Sequence, residues 1–261
     1  QVEQPQPVEP DLREKLSSIR FEEGQDELKN SFETFQQRLE PHIDRPESKN
    51  FIDSVVSIMS NGSDAEKKLL CTLSAEGIDL MIPTLAGWRP GVLERTIASE
   101  SAEHAFSCFD TFAKNLNSLG NYNTDENRSF IDSATELMLN GVSNQEGRQS
   151  ILAGLSPTAI KSIAPYYSNP QRKLDIDLID LDFKEDTMRN YRIKSINTYA
   201  DLCLSKLRES GDPKKLRYAE EATNVMMINA NGIGFSNSGI TFISCVYAYN
   251  SGSHIFLLFS G

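Results

Sequence analysis

One phrase occurs twice in this chain, and this repetition constrains the fold more than any other feature of the sequence. The residues from Phe51 to Gly62 read FIDSVVSIMSNG, and those from Phe130 to Gly141 read FIDSATELMLNG. Seven of the twelve positions are identical. A copied reactive site and a copied packing unit would both produce such a match, and the surrounding residues distinguish between them.

The match extends in both directions from the phrase, which itself recurs after 79 residues. Upstream, FETFQQRL at Phe32 pairs with FDTFAKNL at Phe109, an offset of 77 residues. Downstream, LLCTLSAEGIDLMIPTL at Leu69 pairs with ILAGLSPTAIKSIAPYY at Ile151, an offset of 82 residues. The offset changes in polar stretches, where insertions are tolerated. Three blocks in the same order predict a duplicated packing unit.

A third and more divergent copy follows the second. INTYADLCLSKL at Ile196 resembles FDTFAKNLNSLG, and YAEEATNVM at Tyr218 resembles FIDSATELM. The offsets grow to 87 and 88 residues because an acid-rich connector precedes this copy. The chain is therefore divided into a leader (1–11), repeat 1 (12–87), repeat 2 (88–168), an acidic connector (169–187) and repeat 3 (188–261).

Apolar residues within each repeat recur at spacings of three and four, which predicts about four helices per repeat. The first long helix has such a face in every copy. In repeat 1 it holds Leu28, Phe32, Phe35 and Leu39; in repeat 2, Ala105, Phe109, Phe112 and Leu116; in repeat 3, Arg192, Ile196, Tyr199 and Cys203. The phrase itself is predicted to be helical, with a face of Phe51, Val55, Ile58 and Met59.

Local signals predict where these helices begin and end. Asn61 and Gly62 are residue types that end helices in the left-handed conformation. Ser63, followed by Glu66, is predicted to cap the next helix, and Ser74 the one after it. The units therefore alternate short helices with tight connections, and this spacing matches none of the common two-helix repeats.

The acid of the repeated phrase occurs in all three copies, as Asp53, Asp132 and Glu220. Recurrent carboxylates suit metal ligation, but ligands must converge on one ion, and copies so far apart in sequence seldom do. We therefore assign these acids to the first turns of helices, where a carboxylate favours the positive end of the dipole. NANGIGFSNSG lacks the basic residue of a phosphate-binding loop. No metal and no cofactor are predicted.

The sequence thus predicts a mainly α fold of three tandem degenerate helical repeats, with one open question at the C-terminus. From Gly232 to Gly261 the chain has no Asp, Glu, Lys or Arg. By local propensity ITFISCVYAY and HIFLLF form a short β-hairpin, whereas by alignment they are the last two helices. Asn250 to His254 interrupt the apolar run, so a membrane span is not expected.

Charge and cysteine usage restrict the partners and the compartment. The formal net charge of −11 argues against neutralising nucleic-acid phosphates or an anionic membrane. The four cysteines show neither zinc-site spacing nor a disulfide framework, which favours a reducing compartment. They are Cys71, Cys108, Cys203 and Cys245. We expect a cytoplasmic protein or one translocated into a host cytosol.

His104 and Cys108 are the candidates for catalysis. They are four residues apart and share a helix face, so the imidazole could activate the thiol. The repeats argue for a structural role, because Cys108 aligns with Ser31 and Ser195. A column of small residues is typical of packing.

Binding candidates lie where the copies differ. Trp88, the only tryptophan, and Arg89 occur in AGWRPG between repeats 1 and 2, where the indole either covers the joint or anchors a partner. Tyr249 and Phe256 are the candidates in the uncharged tail.

The function predicted from these features is a scaffold that binds a protein partner through one face of the stacked helices. An acidic chain favours a partner with a basic patch. A helical array behind the Pro/Gln-rich leader also suits a microbial protein delivered into a host cell. The alternatives are an enzyme at the joint of repeats 2 and 3 and a protein that self-associates through residues 232–261. The enzyme would use Glu103, His104, Arg148 and Tyr191.

Overall fold

A computed structural model describes residues 11–122, 124–140, 146–169, 174, 190, 193–194 and 196–217. Every regular element in this part of the chain is helical, so the prediction of a mainly α fold is confirmed. The C-terminal segment 232–261, with its two alternative predictions, lies outside these residues. The α-helices are α1 (Leu12–Ser17), α2 (Asp26–Leu39), α3 (Ser48–Asn61), α4 (Asp64–Leu70), α5 (Ala75–Ala86), α6 (Val92–Ile97), α7 (Ala102–Asn117), α8 (Asp125–Leu139), α9 (Glu146–Gly154), α10 (Pro157–Ile163) and α11 (Ser205–Glu209).

The chain divides into two compact units. The first consists of Gln1–Lys114 and Thr135–Glu146, and the second of Asn115–Ala134 and Gly147–Gly261. This division describes packing. The repeat boundaries are of a different kind, because they mark where the sequence is duplicated. They stay a prediction.

The core of the first compact unit is built around α3, which packs most extensively against α5 and also against α1, α4 and α6. All four residues predicted to share a face of α2 are buried, and so are the four predicted for α3, which confirms both faces. Aromatic rings form a row, with ring centroids 5.7 Å apart for Phe21 and Phe32, 6.1 Å for Phe32 and Phe35, and 6.4 Å for Phe35 and Phe51. The last of these pairs joins α2 to α3. Each fully buried ring contributes about 1.5–3 kcal/mol by leaving water.

The predicted caps of α4 and α5 are confirmed. The Ser63 hydroxyl accepts a hydrogen bond from the Glu66 amide at 3.3 Å, and the Glu66 carboxylate accepts one from the Ser63 amide at 2.6 Å. Ser74 caps α5 by accepting a hydrogen bond from the Gly77 amide at 3.1 Å. Each cap satisfies amides that have no partner within the helix, which stabilises it by about 1 kcal/mol.

Gly62 ends α3 as predicted, but the predicted left-handed conformation is wrong. Its backbone is extended, with φ −71° and ψ 161°, and its amide donates to the Ile58 carbonyl at 2.7 Å. A Cβ at this position would lie 2.6 Å from the Ile58 oxygen. Glycine is therefore required for this close approach and not for a positive φ.

The prediction that the repeated acids lie in the first turns of helices is also wrong for the two described copies. Helix α3 begins at Ser48, so Asp53 lies in the second turn, and its carboxylate pairs with Lys15 at 2.7 Å. Asp132 lies further inside α8 and pairs with Arg128 at 2.6 Å. Both helices begin before the copied phrase, and ion pairs rather than the dipole explain these acids. Glu220 lies outside the described residues.

The core of the second compact unit is built around α10. This helix packs against the π-helical turn Ala200–Leu204, and Tyr167 beyond its end lies 5.9 Å, between ring centroids, from Phe130 of α8. Ile196 and Tyr199 are buried, as the third-repeat face predicts. The other two members of that face, Arg192 and the Cys203 side chain, lie outside the described residues.

No single helix in the described ranges is both long and apolar enough to cross a membrane. Helices α4 and α5 pass that test of length and composition only when taken together, and they are bent by 100° relative to each other.

Candidate functional site

Trp88 and Arg89 lie in the connection between α5 and α6. The Trp88 amide donates to the Leu85 carbonyl at 3.0 Å, and the Asn50 side chain also donates to this carbonyl, at 3.3 Å. Gly91, with φ 80°, then turns the chain into α6. The indole is partly exposed and the Arg89 side chain is exposed. The backbone therefore holds this pair on the surface of the first compact unit, where it is accessible to a partner.

His104 and Cys108 are in contact on α7, as the spacing predicted. The imidazole Nε2 lies 3.4 Å from the Cys108 sulfur and 3.2 Å from the Glu146 carbonyl oxygen. A carbonyl oxygen can only accept, so a hydrogen bond to Glu146 requires the proton on Nε2. In that tautomer the same nitrogen cannot remove a proton from the thiol. The arrangement suits a bridge from α7 to Glu146 better than an activated nucleophile.

Cys71 is a buried thiol at the end of α4. Burial raises its pKa to about 11, and the nearby Arg38 guanidinium offsets only part of this effect. A protonated thiol is a poor nucleophile and a poor metal ligand. Cys71 therefore acts as a small apolar residue, as the alignment with Ala153 suggested.

The remaining predicted site residues are distributed along the chain. Glu103 is exposed on α7, and Arg148 lies in α9 within the second compact unit. Tyr191, Tyr249 and Phe256 lie outside the described residues, so the predicted enzyme site and the predicted contacts of the tail stay predictions. Within the described ranges, no group of three or more His, Cys, Asp or Glu side chains is placed to hold a metal ion.

Sequence reasoning missed a hydrogen bond that occurs once in each compact unit. The Asp110 carboxylate accepts from the backbone amide of Ser74 at 2.9 Å, and Ser74 caps α5. The Asn197 side chain accepts from the amide of Ser156 at 2.8 Å, and Ser156 caps α10. In both contacts the acceptor directly follows a buried core residue, which is Phe109 before Asp110 and Ile196 before Asn197. Only the pairing of repeat columns could have indicated them.

The environment of Asp110 favours its charged form. Burial by itself raises the pKa of this carboxyl group, but hydrogen bonds from Lys114 and from the side chain and amide of Ser74 outweigh burial and lower it. The Lys114 ammonium lies 2.6 Å from the carboxylate. Asp110 thus holds the start of α5 as an ionised acceptor.

A second pair of contacts also recurs. Arg38 donates to the carbonyls of Cys71 and Leu73, at 3.2 and 2.8 Å. Asn115 donates to the carbonyl of Ala153, in the last turn of α9, at 3.3 Å and to that of Leu155, directly after this helix, at 3.1 Å. An arginine in the first compact unit and an asparagine in the second therefore donate to backbone carbonyls at aligned positions.

The second compact unit contains a cleft that the sequence did not predict. It lies between the C-terminal end of α7, α8 and α10, and its volume is about 130 Å³. Most of its wall is apolar, and three polar side chains, those of Asn121, Asn127 and Lys161, also line it. We refer to it as the α7–α8–α10 cleft.

Comparisons with known proteins found no similarity: no family model, no curated protein and no solved structure matches the chain.

Proposed function

We propose that this protein is a binding scaffold of three tandem helical repeats that engages a protein partner through Trp88 and Arg89. The main support for three repeats is the hydrogen bond to the backbone amide of a cap serine, which occurs at two aligned positions. Ser74 and Ser156 are paired by the downstream sequence block, and Asp110 and Asn197 by the comparison of repeats 2 and 3. The contact between Ser74 and Asp110 therefore recurs between the two residues that are aligned with them, Ser156 and Asn197.

The contacts of Arg38 and Asn115 support the same assignment. These two residues are paired by the upstream block, and the carbonyl groups that they contact are paired by the downstream block. The order of the helices agrees with it, because a six-residue helix precedes the long α2 just as another precedes the long α7. A stack of such units buries a continuous core and offers a broad outer face.

The surface around Trp88 supports a protein partner. A partly exposed tryptophan next to an exposed arginine supplies the two residue types that most often dominate the binding energy of an interface. The net charge of −11 favours partners with a basic patch, which such an acidic chain attracts over long range. We propose a cytoplasmic location, or a host cytosol after translocation, because the Cys71 thiol is buried and unbridged.

Pull-down from cell lysate at several salt concentrations tests this function. Substitution Trp88→Ala should weaken capture of the specific partner about thirtyfold, which corresponds to a loss of about 2 kcal/mol. Substitution Phe21→Leu, which changes another partly exposed aromatic residue but keeps an apolar side chain against Phe32, is the matched control and should leave capture unchanged. Capture should also decrease as salt increases. Equal recovery of every captured protein by the wild type and Trp88→Ala would reject the proposed binding surface.

A further inference from the structure

The α7–α8–α10 cleft has the size and the wall of a site for a small apolar group. Phe130 and Ile131 are completely buried in its wall, and Tyr122 is only 7% exposed. A preformed apolar cavity of about 150 Å³ is known to accommodate a benzene ring. The cleft, at about 130 Å³, therefore has room for one ring or a short branched chain.

Two polar side chains of the cleft are exposed. Lys161 and Asn121 line it, and neither forms a hydrogen bond or an ion pair within the described part of the chain. A lysine has a flexible four-carbon stem, so its ammonium group can move over the opening of the cleft. The Asn121 amide supplies further hydrogen-bond donors.

The corresponding position in the first compact unit carries the opposite charge, and an ion pair neutralises it. The downstream sequence block pairs Lys161 with Asp79, which forms an ion pair with Arg45 at 2.8 Å. The His42 ring lies three residues after Leu39, as Leu119 lies three residues after Leu116; it is only 7% exposed and is 3.5 Å from the Asp79 carboxylate. The copies therefore differ in the sign of this charge and in its ion-pair partner, because Asp79 is paired with Arg45 whereas Lys161 forms no ion pair within the described ranges.

We propose that the α7–α8–α10 cleft binds a small carboxylate with a compact apolar body, such as an aromatic or branched-chain acid. The apolar body lies against Leu119 and Tyr122, the most accessible apolar side chains of the cleft, and the carboxylate pairs with the Lys161 ammonium and accepts a hydrogen bond from Asn121. The bound carboxylate neutralises Lys161, as the Arg45 guanidinium neutralises Asp79 in the first compact unit. This proposal does not depend on the proposed protein-binding function.

Titrations of the full chain with benzoate, followed by ¹⁵N–¹H correlation spectra, test the proposal. Benzoate should shift amide signals around Phe130 and Ile131. Benzyl alcohol, which keeps the ring but lacks the charge, should bind about fivefold more weakly, and benzylamine should bind more weakly still, because only benzoate can pair with Lys161. Absence of localised shifts with benzoate, or equal affinity for benzylamine, would overturn the proposal.

Three variants assign the binding to this cleft. Lys161→Met removes an exposed charge, so the fold should be preserved, and it should weaken benzoate about fivefold while leaving benzyl alcohol unchanged. Lys29→Met changes an equally exposed lysine of the first compact unit and should leave benzoate binding unaltered. Leu119→Trp places a larger side chain at the partly exposed wall and should abolish binding of both ligands. Unchanged benzoate affinity in Lys161→Met would contradict the role of this lysine.

Discussion

The Asp110 carboxylate accepts a hydrogen bond from the backbone amide of Ser74, 2.9 Å away. Because Asp110 belongs to α7, this contact holds the N-cap residue of α5 in place from a helix that is distant in sequence. Asn197 makes the same contact with Ser156 before α10. Each serine already accepts a hydrogen bond through its own hydroxyl group. Two hydrogen bonds therefore hold each cap, one local and one from a distant helix.

The stability contributed by Asp110 should depend on pH in the acid range. Its pKa is lowered in the folded chain, so the unfolded chain takes up a proton first as the pH falls. The contribution is present above the unfolded pKa of 3.8 and is lost as the pH decreases through the folded pKa. Urea unfolding at several pH values between 5 and 3 should show a steeper loss for the wild type than for Asp110→Asn. Parallel curves would contradict this.

His42 should make the folded state sensitive to mild acid. Burial and the charge of Arg45 lower the pKa of its imidazole, and Asp79 offsets only part of this. The unfolded chain gains a proton near pH 6.5, whereas the folded chain gains it only at a lower pH, so stability should fall between these two pKa values by up to about 1.4 kcal/mol per pH unit. Urea unfolding at pH 7.5 and 5.5 should show a smaller difference for His42→Gln. An equal difference would mean that other groups cause the acid sensitivity.

Cys71 should resist alkylation in the folded chain. With a pKa of about 11, about one thiol in a thousand is ionised at pH 8, and the buried sulfur is also shielded from the reagent. Iodoacetamide labelling of the Cys71 peptide, measured by mass spectrometry, should be at least about a hundredfold slower in buffer than in concentrated urea. Similar rates in both solutions would show that the thiol is accessible.

Gly154 should be required for close packing against Ile193 in the second compact unit. A Cβ at Gly154 would lie 2.7 Å from the nearest atom of the Ile193 side chain. Gly154→Ala should therefore destabilise the chain by about 1–3 kcal/mol. Urea unfolding of Gly154→Ala combined with Ile193→Ala should show partial recovery relative to the sum of the single variants. Strict additivity would indicate that the two residues do not oppose each other.

Local patterns predicted the helices and their buried faces because they depend on residues a few positions apart. The faces of Leu28, Phe32, Phe35 and Leu39 and of the repeated phrase, together with the Ser63–Glu66 cap, follow from spacing alone. The contact between His104 and Cys108 was predicted for the same reason. These features need no knowledge of tertiary structure.

The features that the sequence did not reveal depend on distant residues. The Asp53 ion pair requires Lys15, and the cap of α5 requires Asp110. The space beside Lys161 depends on how α7, α8 and α10 pack, which no local pattern describes. The predicted left-handed conformation of Gly62 was wrong because a glycine at a helix end can serve either a positive φ or a close backbone approach. The sequence alone does not distinguish these two uses, and Gly62 serves the second.

We propose that consecutive repeats are joined by one copied hydrogen bond, and urea unfolding of three variants of the same alignment column tests this proposal most directly. Asp110→Ala and Asn197→Ala should each lower the free energy of unfolding by about 1–3 kcal/mol, because the amide of a cap serine loses its acceptor. Glu33→Ala, at the corresponding exposed position of α2, should change it by less than about 0.5 kcal/mol. An effect of Glu33→Ala as large as the other two, or no effect of Asp110→Ala and Asn197→Ala, would contradict the account.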